Sequence, residues 1–215
     1  MEPPLHDRSN DDDPIVLVID DDPDVREGLK ALLQSVYLRS EAFGCVSEFF
    51  RYKLPDRASC LIVDVQLPGL SGLDFQFELA KVQIGIPIIF ITGYSDISMS
   101  VRAMKAGAVE FLTKPLREQD LLDAVRAALD RDRKRREQDD RIHNLHVRFD
   151  RLSSRERQVM TLVAAGWMNK QAAAEIGISE ITVKVHRHNM MKKLNAKSIP
   201  DLVRMAGILG LPHKA

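Results

Sequence analysis

Short apolar runs alternate with helical hydrophobic periodicities along the first part of the chain. The run IVLVI at 15–19 predicts a strand, and Asp22 with Pro23 then gives an N-cap and a first helical residue. The same patterns predict further strands at 39–43, 60–64, 87–92 and 109–113, and further helices at 46–52, 72–83, 96–106 and 117–129. We therefore expect an α/β fold, a doubly wound five-stranded parallel sheet covered by helices on both faces.

Polar residues stand at the ends of four of these predicted strands. Asp20 and Asp21 follow the first strand, the third ends on Asp64, the fourth ends on Thr92, and Lys114 follows the last. In a parallel sheet the carboxyl ends of the strands meet at one edge, where ligands bind. We therefore expect these five side chains to lie close together.

The expected cluster has the composition of a metal-assisted phosphoryl-transfer site. Three neighbouring carboxylates repel one another unless a cation holds them, and oxygen ligands of this kind suit Mg²⁺. A lysine and a hydroxyl group suit the oxygens of a phosphoryl group. Asp64, at the tip of an apolar run and before the turn residues Pro68 and Gly69, is then the candidate nucleophile. Asp22 is expected only to cap a helix.

Four segments of this half resemble the receiver domain of bacterial two-component response regulators, over about residues 14–130. They read VIDDD, IVDVQLPGLSG, FITGYSD and EFLTKP, and their order and spacing together are highly specific. The resemblance implies that Asp64 is the phosphoacceptor. It also implies that Mg²⁺, or Mn²⁺, is held by Asp20, Asp21, Asp64 and the backbone carbonyl of Gln66.

The same resemblance assigns roles to residues on the last two strands. It implies that Thr92 and Lys114 bind the phosphoryl oxygens, that Phe111 is the switch aromatic, and that the Lys114–Pro115 peptide bond is cis. Two alternatives stay open from the residues alone: a receiver that no longer accepts phosphate, and a Phe111 that is a plain core residue.

Two enzyme classes fit the front half less well. A metal-dependent phosphohydrolase with an aspartyl nucleophile would need a second acid two residues after it, where this chain has Gln66. A dinucleotide-binding enzyme would need a GxGxxG segment after the first strand, and the sequence has none there.

The back of the chain has the spacing of a helix-turn-helix. Ser153 and Glu156 form a predicted capping box, Gly166 ends the first helix, and the short helix NKQAAAEI leads to the N-cap Ser179. On the helix that follows, the residues divide between two faces at 100° per residue. The side with the apolar stripe holds Val183, His186, Arg187, Met190 and Leu194, and the other holds Lys184, Val185, His188 and Lys192. A last helix opens at 198–201 and ends near Gly210.

Residues 149–212 resemble the LuxR-type helix-turn-helix of the NarL/FixJ response regulators, through LSSRERQV, AAGWMNKQAA, GISEITVKVHRHNMMKKL and LVRMA. The resemblance implies that residues 179–193 form the recognition helix in the DNA major groove. It implies base contacts from Lys184, Val185 and His188. It assigns further DNA contacts, mainly to phosphates, to Asn169, Lys170, Ser179, Thr182, Arg187 and Lys192.

Three residues of this region concern packing. Met168 stands where the family has a small polar residue, and Ala172 stands where it has a larger aliphatic one. We expect both to be packing substitutions that leave the DNA face intact, and Trp167 to be a core anchor.

The formal net charge of zero hides a division along the chain. Residues 1–128 carry a net charge of −8, residues 129–150 carry +1, and residues 151–215 carry +7. This division favours a cation as the partner of the front half and a polyanion as the partner of the back half.

We divide the chain into four segments. They are a disordered acidic tail at 1–13, a receiver domain at 14–129, a charged helical linker at 130–148, and a DNA-binding domain at 149–215. The linker is expected to prolong the last receiver helix and then to loosen.

Several classes of protein are disfavoured. No run of about 18 apolar residues predicts a membrane span, and the acidic N-terminus lacks the apolar stretch of a signal peptide. Cys45 and Cys60 show no CxxC spacing and are expected to be reduced core thiols in a cytoplasmic protein.

These observations predict a phosphorylation-controlled transcription regulator that is not a dedicated enzyme, although it could autodephosphorylate. A partner histidine kinase phosphorylates Asp64, the protein forms a homodimer, and the dimer binds double-stranded promoter DNA, with RNA polymerase as a further partner. The resemblance places the dimer surface on helix 96–106, strand 109–113 and helix 117–129, with contributions from Val101, Lys105, Arg117 and Asp120.

Overall fold

The structure, a computed structural model, describes residues 13–94 and 96–212 of the chain. It divides into two compact units, with the boundary between Arg136 and Glu137. The tail predicted at 1–13 lies outside the described residues except for Asp13. The division into four segments therefore stays a prediction, and each unit is described by itself below.

The first unit is built on a five-stranded parallel sheet. Its strands are β1 (Ile15–Ile19), β2 (Arg39–Phe43), β3 (Ser59–Asp64), β4 (Ile88–Thr92) and β5 (Glu110–Thr113). Its helices are α1 (Pro23–Ser35), α2 (Val46–Arg51), α3 (Gly72–Lys81), α4 (Ile97–Lys105) and the start of α5 (Glu118–Asp150). The strand order is β2-β1-β3-β4-β5, and every neighbouring pair is parallel. The predicted fold class is confirmed.

The sheet separates two apolar cores. Leu17 of β1 packs in the core that contains Phe75 of α3, and the next residue, Val18, packs in the core that contains Leu33 of α1 and Leu121 of α5. Alternate residues of a strand point to opposite faces, and helices cover both faces here. The three central strands are therefore buried at every position, which explains their continuous apolar runs.

Helix α1 begins as the sequence predicts. Asp22 is its N-cap and accepts a hydrogen bond from the Asp24 N–H at 2.9 Å. Pro23 is the first helical residue, where its missing N–H costs nothing.

Helix α5 is much longer than the predicted helix at 117–129. It runs from Glu118 to Asp150 with no break, so the expected loosening of the linker is wrong. Near its start, Leu121, Val125 and Leu129 pack in a core of the first unit. Near its end, Leu145 packs in the core of the second unit.

The described part of the second unit is helical and has its own core. After the end of α5 it contains α6 (Ser154–Ala164), α7 (Asn169–Ile176), α8 (Glu180–Leu194) and α9 (Ile199–Ile208). Gly177 ends α7 with a positive φ of 69°, a conformation that favours glycine. The turn brings α8 over α6 and α7, where Val183, Met190 and Leu194 are fully buried.

Among the described residues, no helix has both the length and the apolar character that crossing a bilayer would require.

Glu156 joins α6 to the last turn of α8. The Ser153 N–H donates to its carboxylate at 2.7 Å, which completes the predicted capping box, and Lys193 Nζ donates to the same oxygen at 2.6 Å. Burial works to raise the pKa of this carboxyl. The hydrogen bonds from Lys193 and Ser153 outweigh burial and hold the pKa below its ordinary value.

We predict that Glu156→Gln destabilises the second unit by about 1 kcal/mol at pH 7. Glutamine can still accept a hydrogen bond from the Ser153 N–H, so the lost stability measures the ion pair with Lys193. That loss is modest because the Lys193 side chain is 41% exposed and water screens its charge. The ionised carboxylate stabilises the fold above its ordinary value of 4.5, and this contribution is lost as the pH falls through its lower folded-state pKa. The difference between variant and wild type should therefore shrink in acid.

Urea unfolding followed by the fluorescence of Trp167, the single tryptophan of the chain, measures this difference. Glu175→Gln is the matched control, because Glu175 is exposed on α7. Equal unfolding midpoints for Glu156→Gln and the control at pH 7 would contradict the prediction.

Candidate phosphoryl-acceptor site and DNA interface

Four predicted residues stand at the carboxyl edge of the sheet. Asp20 directly follows β1, Asp64 is the last residue of β3, Thr92 is the last residue of β4, and Lys114 directly follows β5. Strands β1 and β3 are neighbours, which brings the two aspartates together.

Lys114 connects the two aspartates. Its Nζ donates to Oδ2 of Asp20 at 2.8 Å and to Oδ2 of Asp64 at 3.0 Å. The other oxygen of each carboxylate accepts a backbone hydrogen bond, from the Asp22 N–H for Asp20 at 2.9 Å and from the Gln66 N–H for Asp64 at 3.0 Å. Each carboxylate is therefore held in one orientation by two donors.

Burial and hydrogen bonding shift the pKa values of Asp20 and Lys114. Burial raises the pKa of the Asp20 carboxyl above its ordinary value of 3.8, although Lys114 and the Asp22 N–H act to lower it. For Lys114, burial acts to lower the pKa, but the hydrogen bonds to Asp20 and Asp64 outweigh burial and raise it. Lys114 is therefore an ammonium ion at neutral pH.

Three carboxylates at this edge could hold one cation. One ligand oxygen from each of Asp20, Asp21 and Asp64 lies within 4.8 Å of the others. Asp20 and Asp64 are buried, whereas Asp21 is exposed, so a bound ion could keep water ligands on the exposed side. An oxygen-only set that leaves room for water fits Mg²⁺, and receiver domains bind Mg²⁺ at an acidic pocket of this kind.

Thr92 and Phe111 lie on β4 and β5. Thr92 is fully buried, and its hydroxyl donates to the Tyr94 carbonyl at 2.8 Å. Phe111 is half-buried, with its ring centroid 6.3 Å from that of Phe90. The Lys114–Pro115 peptide bond is cis, as expected.

Sequence reasoning missed two residues that shape this edge. A Cβ at Gly72 would lie 2.4 Å from the Asp64 carbonyl oxygen, so only glycine fits where α3 begins beside the acceptor strand. Arg26 of α1 donates from Nη1 to the Asp20 carbonyl at 2.7 Å. The glycine after the Pro-Gly turn was a usable signal for Gly72, whereas Arg26 looked like an ordinary exposed residue of a helix.

In the second unit, α8 presents one exposed polar face. Lys184, Val185, His188 and Lys192 are all exposed, opposite the buried Val183, Met190 and Leu194. Lys184 lies 3.2 Å from the Glu180 carboxylate. The predicted division of this helix into a core side and an exposed basic side is therefore present.

Four of the residues assigned to DNA contacts also hold the local fold. Ser179 is the N-cap of α8 and accepts from the Thr182 N–H at 3.1 Å, with their hydroxyl oxygens 2.8 Å apart. Arg187 donates to Asn169 Oδ1 at 3.1 Å, which ties α8 to α7. Lys170, a fifth predicted contact, is exposed.

Two packing expectations for this unit are wrong. Trp167 is 39% exposed and Met168 is 68% exposed, because both lie in the segment between α6 and α7 and not within a helix face. The Met168 N–H is satisfied by the Gln171 side chain at 2.8 Å. Ala172 is fully buried, as a packing position should be.

Two family models match the chain. The response regulator receiver domain matches residues 16–126, and the family of bacterial regulatory proteins of the LuxR type matches residues 150–206. Together they cover both predicted domains in the predicted order.

Similar proteins match this chain over most of its length. Nodulation protein W of Bradyrhizobium diazoefficiens is 57% identical over 197 residues, which are 92% of this chain and 87% of that protein. The response regulator protein TmoT of Ectopseudomonas mendocina is 46% identical over 91% of this chain and 89% of its own. The solved structure of the response regulator StyR is 48% identical with a TM-score of 0.79, and the match covers 91% of this chain and 98% of StyR.

These comparisons agree with the geometry of both units. Both family models match, and the relatives are similar along nearly their full lengths. The chain belongs to the two-component response regulators that join a receiver domain to a LuxR-type DNA-binding domain, the NarL/FixJ type that its motifs resemble.

Proposed function

We propose that Asp64 accepts a phosphoryl group from the phosphohistidine of a partner kinase, and that this controls promoter binding by α8. The observation that carries the proposal is Lys114, whose ammonium is shared between Asp20, after β1, and Asp64, at the end of β3. That arrangement gives a fixed carboxylate nucleophile beside a cation that can meet the incoming phosphoryl oxygens. Because bacterial promoter DNA lies in the cytoplasm, we expect the protein to act there.

In the transfer, one carboxylate oxygen of Asp64 attacks the phosphorus atom. A bond between that oxygen and phosphorus forms while the bond from phosphorus to the donor nitrogen breaks, and the nitrogen keeps the electron pair and takes a proton from water. Asp20, Asp21, Asp64 and the Gln66 carbonyl would hold Mg²⁺, which when bound neutralises charge on the phosphoryl oxygens. Lys114 would bind another phosphoryl oxygen through one of its three N–H donors, two of which now go to the carboxylates.

The Thr92 hydroxyl would carry the signal away from Asp64. It is now bonded to the Tyr94 carbonyl, and this bond must be exchanged for one to the phosphoryl group. The exchange draws the hydroxyl toward Asp64 and leaves space into which the half-buried Phe111 can turn. The surface formed by α4, β5 and the start of α5 then changes shape.

That surface has the composition of a protein interface. Ile97, Val101 and Met104 of α4 are 83%, 44% and 43% exposed, and grouped exposed apolar side chains are a common feature of interaction sites. Nε of Arg117, directly before α5, lies 3.7 Å from Oδ2 of Asp120 in the first turn of α5, and the two side chains can exchange partners across a two-fold axis. Lys105 is also exposed.

The second unit would read DNA with the exposed face of α8. Lys184, Val185 and His188 would meet base edges, with the valine against a thymine methyl group. Asn169, Lys170, Ser179, Thr182, Arg187 and Lys192 would meet the backbone, mainly its phosphates. A bound dimer would then contact RNA polymerase at the promoter.

We predict that Asp64→Asn abolishes labelling by a small phosphodonor in the presence of Mg²⁺, because an amide cannot form the acyl phosphate. Asp22→Asn is the matched control, since asparagine caps a helix as well as aspartate does and Asp22 lies outside the carboxylate cluster. Mass spectrometry of the intact protein measures the added phosphoryl group. Unchanged labelling of Asp64→Asn would overturn the site.

We predict that Lys184→Ala and Lys192→Ala weaken DNA binding in different ways. Loss of a base contact at Lys184 should weaken specific binding by about 1–3 kcal/mol and relax sequence preference. Loss of a phosphate contact at Lys192 should weaken all sequences about equally and reduce the salt slope by about 1. Fluorescence anisotropy over a salt series distinguishes them. If both variants bind every sequence as the wild type does, the placement of α8 is wrong.

Phosphorylation should convert the monomer to a dimer, and the dimer should be the form that binds DNA. One small helical domain contacts few base pairs, so a second copy is needed for useful affinity on a palindromic site. Light scattering with and without phosphodonor measures the change in mass. A phosphorylated protein that stays monomeric yet binds DNA more tightly would rule out this mechanism.

A further inference from the structure

Asp132 is a buried charge in a place where neither family model extends. The receiver match ends at residue 126 and the LuxR-type match begins at residue 150. The sequence analysis placed Asp132 in a charged linker, yet its side chain is fully buried. A buried carboxylate is costly unless donors surround it, so its partners show what this part of α5 does.

The hydrogen-bond donors to Asp132 lie in the first unit. Oδ2 accepts from the Ser59 N–H at 3.0 Å and from Arg136 Nε at 2.9 Å. Oδ1 accepts from Arg135 through Nε at 3.0 Å and Nη2 at 2.7 Å. We call Asp132, Arg135 and Arg136 the α5 latch.

The two arginines of the latch reach the loops that lead into the sheet. Arg136 donates to the Asp56 carboxylate at 2.7 Å and to the Pro55 carbonyl at 3.4 Å, just before β3. Arg135 lies over Gly85 before β4, where a Cβ would be 3.3 Å from its Cδ. The turn of α5 at 132–136 is therefore fastened to the first unit by polar contacts, whereas the earlier turns are held by apolar packing.

The latch acts on the strand that carries the acceptor. Ser59 is the first residue of β3 and Asp64 is the last, and every residue between them is buried. Burial raises the pKa of the thiol of Cys60, next to Ser59, and the negative charge of Asp132 acts in the same direction.

Beyond the latch, α5 has no buried side chain until Leu145. Residues 137–144 are exposed except for the half-buried Ile142, and Leu145 then packs in the core of the second unit. The exposed stretch is about two helical turns, less than half of the linker predicted at 130–148.

We propose that Asp132 is a positioning residue that makes the 130–136 turns of α5 part of the receiver and joins them, through β3, to the state of Asp64. The proposal rests on the proposed function, because it concerns how phosphorylation reaches DNA binding. A rigid buried strand, fixed at Ser59 by the latch and at Asp64 by Lys114, moves as one body. A change at Asp64 is then passed to the helix that leaves the receiver.

The test compares Asp132→Asn with Asp130→Asn in the full-length protein. Asp130 is the matched control, because it is exposed two residues away and pairs with Arg133, at 2.7 Å, outside the latch. The amide that Asp132→Asn introduces would place two N–H donors against arginine donors, so the latch opens. Hydrogen exchange of the unphosphorylated protein should become about tenfold faster over 130–136 and at Ser59 in Asp132→Asn, and should not change in Asp130→Asn.

The second readout is the ratio of DNA affinities with and without phosphodonor. In Asp132→Asn this ratio should fall at least about threefold toward one, which is within the usual range of coupling between sites, while Asp64 is still labelled. If the wild type is not labelled at Asp64, the proposed function fails. If the wild type is labelled and Asp132→Asn keeps its exchange protection or its affinity ratio, the latch fails instead.

If Asp132→Asn does not fold, neither hydrogen exchange nor DNA affinity can be interpreted. Arg136→Gln is therefore a second, milder variant. It removes the Arg136 contacts to Asp132, Asp56 and Pro55 but leaves Asp132 bonded to Ser59 and Arg135. It should show the same two changes at smaller size, and the absence of both changes would overturn the proposal.

Discussion

The Lys114 ammonium between Asp20 and Asp64 is the interaction on which the first unit depends. The sheet order puts the two aspartates on adjacent strands but leaves Lys114 after β5, two strands from β3 and three from β1. Two strand spacings are about 10 Å, so only a long side chain that leans along the edge can close the gap. The backbone helps, because the Lys114 N–H donates to the Thr92 carbonyl at 2.7 Å and fixes the point from which the side chain starts. Without that cation, two buried carboxylates on neighbouring strands would repel each other.

The strands and the polar residues at their carboxyl ends could be predicted from the sequence because both signals are local. An apolar run followed by a carboxylate marks β1 and β3, and in a parallel sheet all such ends reach the same edge. The predicted bounds of the strands agree with the observed ones to within one residue. Two contacts could not be predicted, the close approach of Gly72 to Asp64 and the hydrogen bond from Arg26 to Asp20. Both depend on how loops pack, and the hydrophobic periodicity of a sequence holds no information about that.

The end of α5 shows why the remainder could not be predicted. Sequence patterns detect a helix by its apolar stripe, and the stripe of α5 fades after Leu129. Over the next two turns, Asp132, Arg135 and Arg136 replace apolar packing by an ionic network around the buried Asp132 carboxylate. In a sequence, such residues look the same as solvated charges, and only the three-dimensional structure distinguishes them.

The residues assigned to DNA contacts are held by the second unit itself. In the second unit, residues assigned to DNA contacts already have structural partners: Ser179 caps α8, and Arg187 is bonded to Asn169. The DNA-reading helix is therefore positioned by the fold of its own unit, whose core, over the described part of the chain, contains no residue of the sheet. Phosphorylation then has no need to fold this domain or to build its binding surface. Under the proposed function it would act by changing the populations of two states, such as monomer and dimer. A coupling free energy of about 1–3 kcal/mol is typical for such control, and rearranging a few hydrogen bonds around Asp64 and Thr92 is enough to supply it.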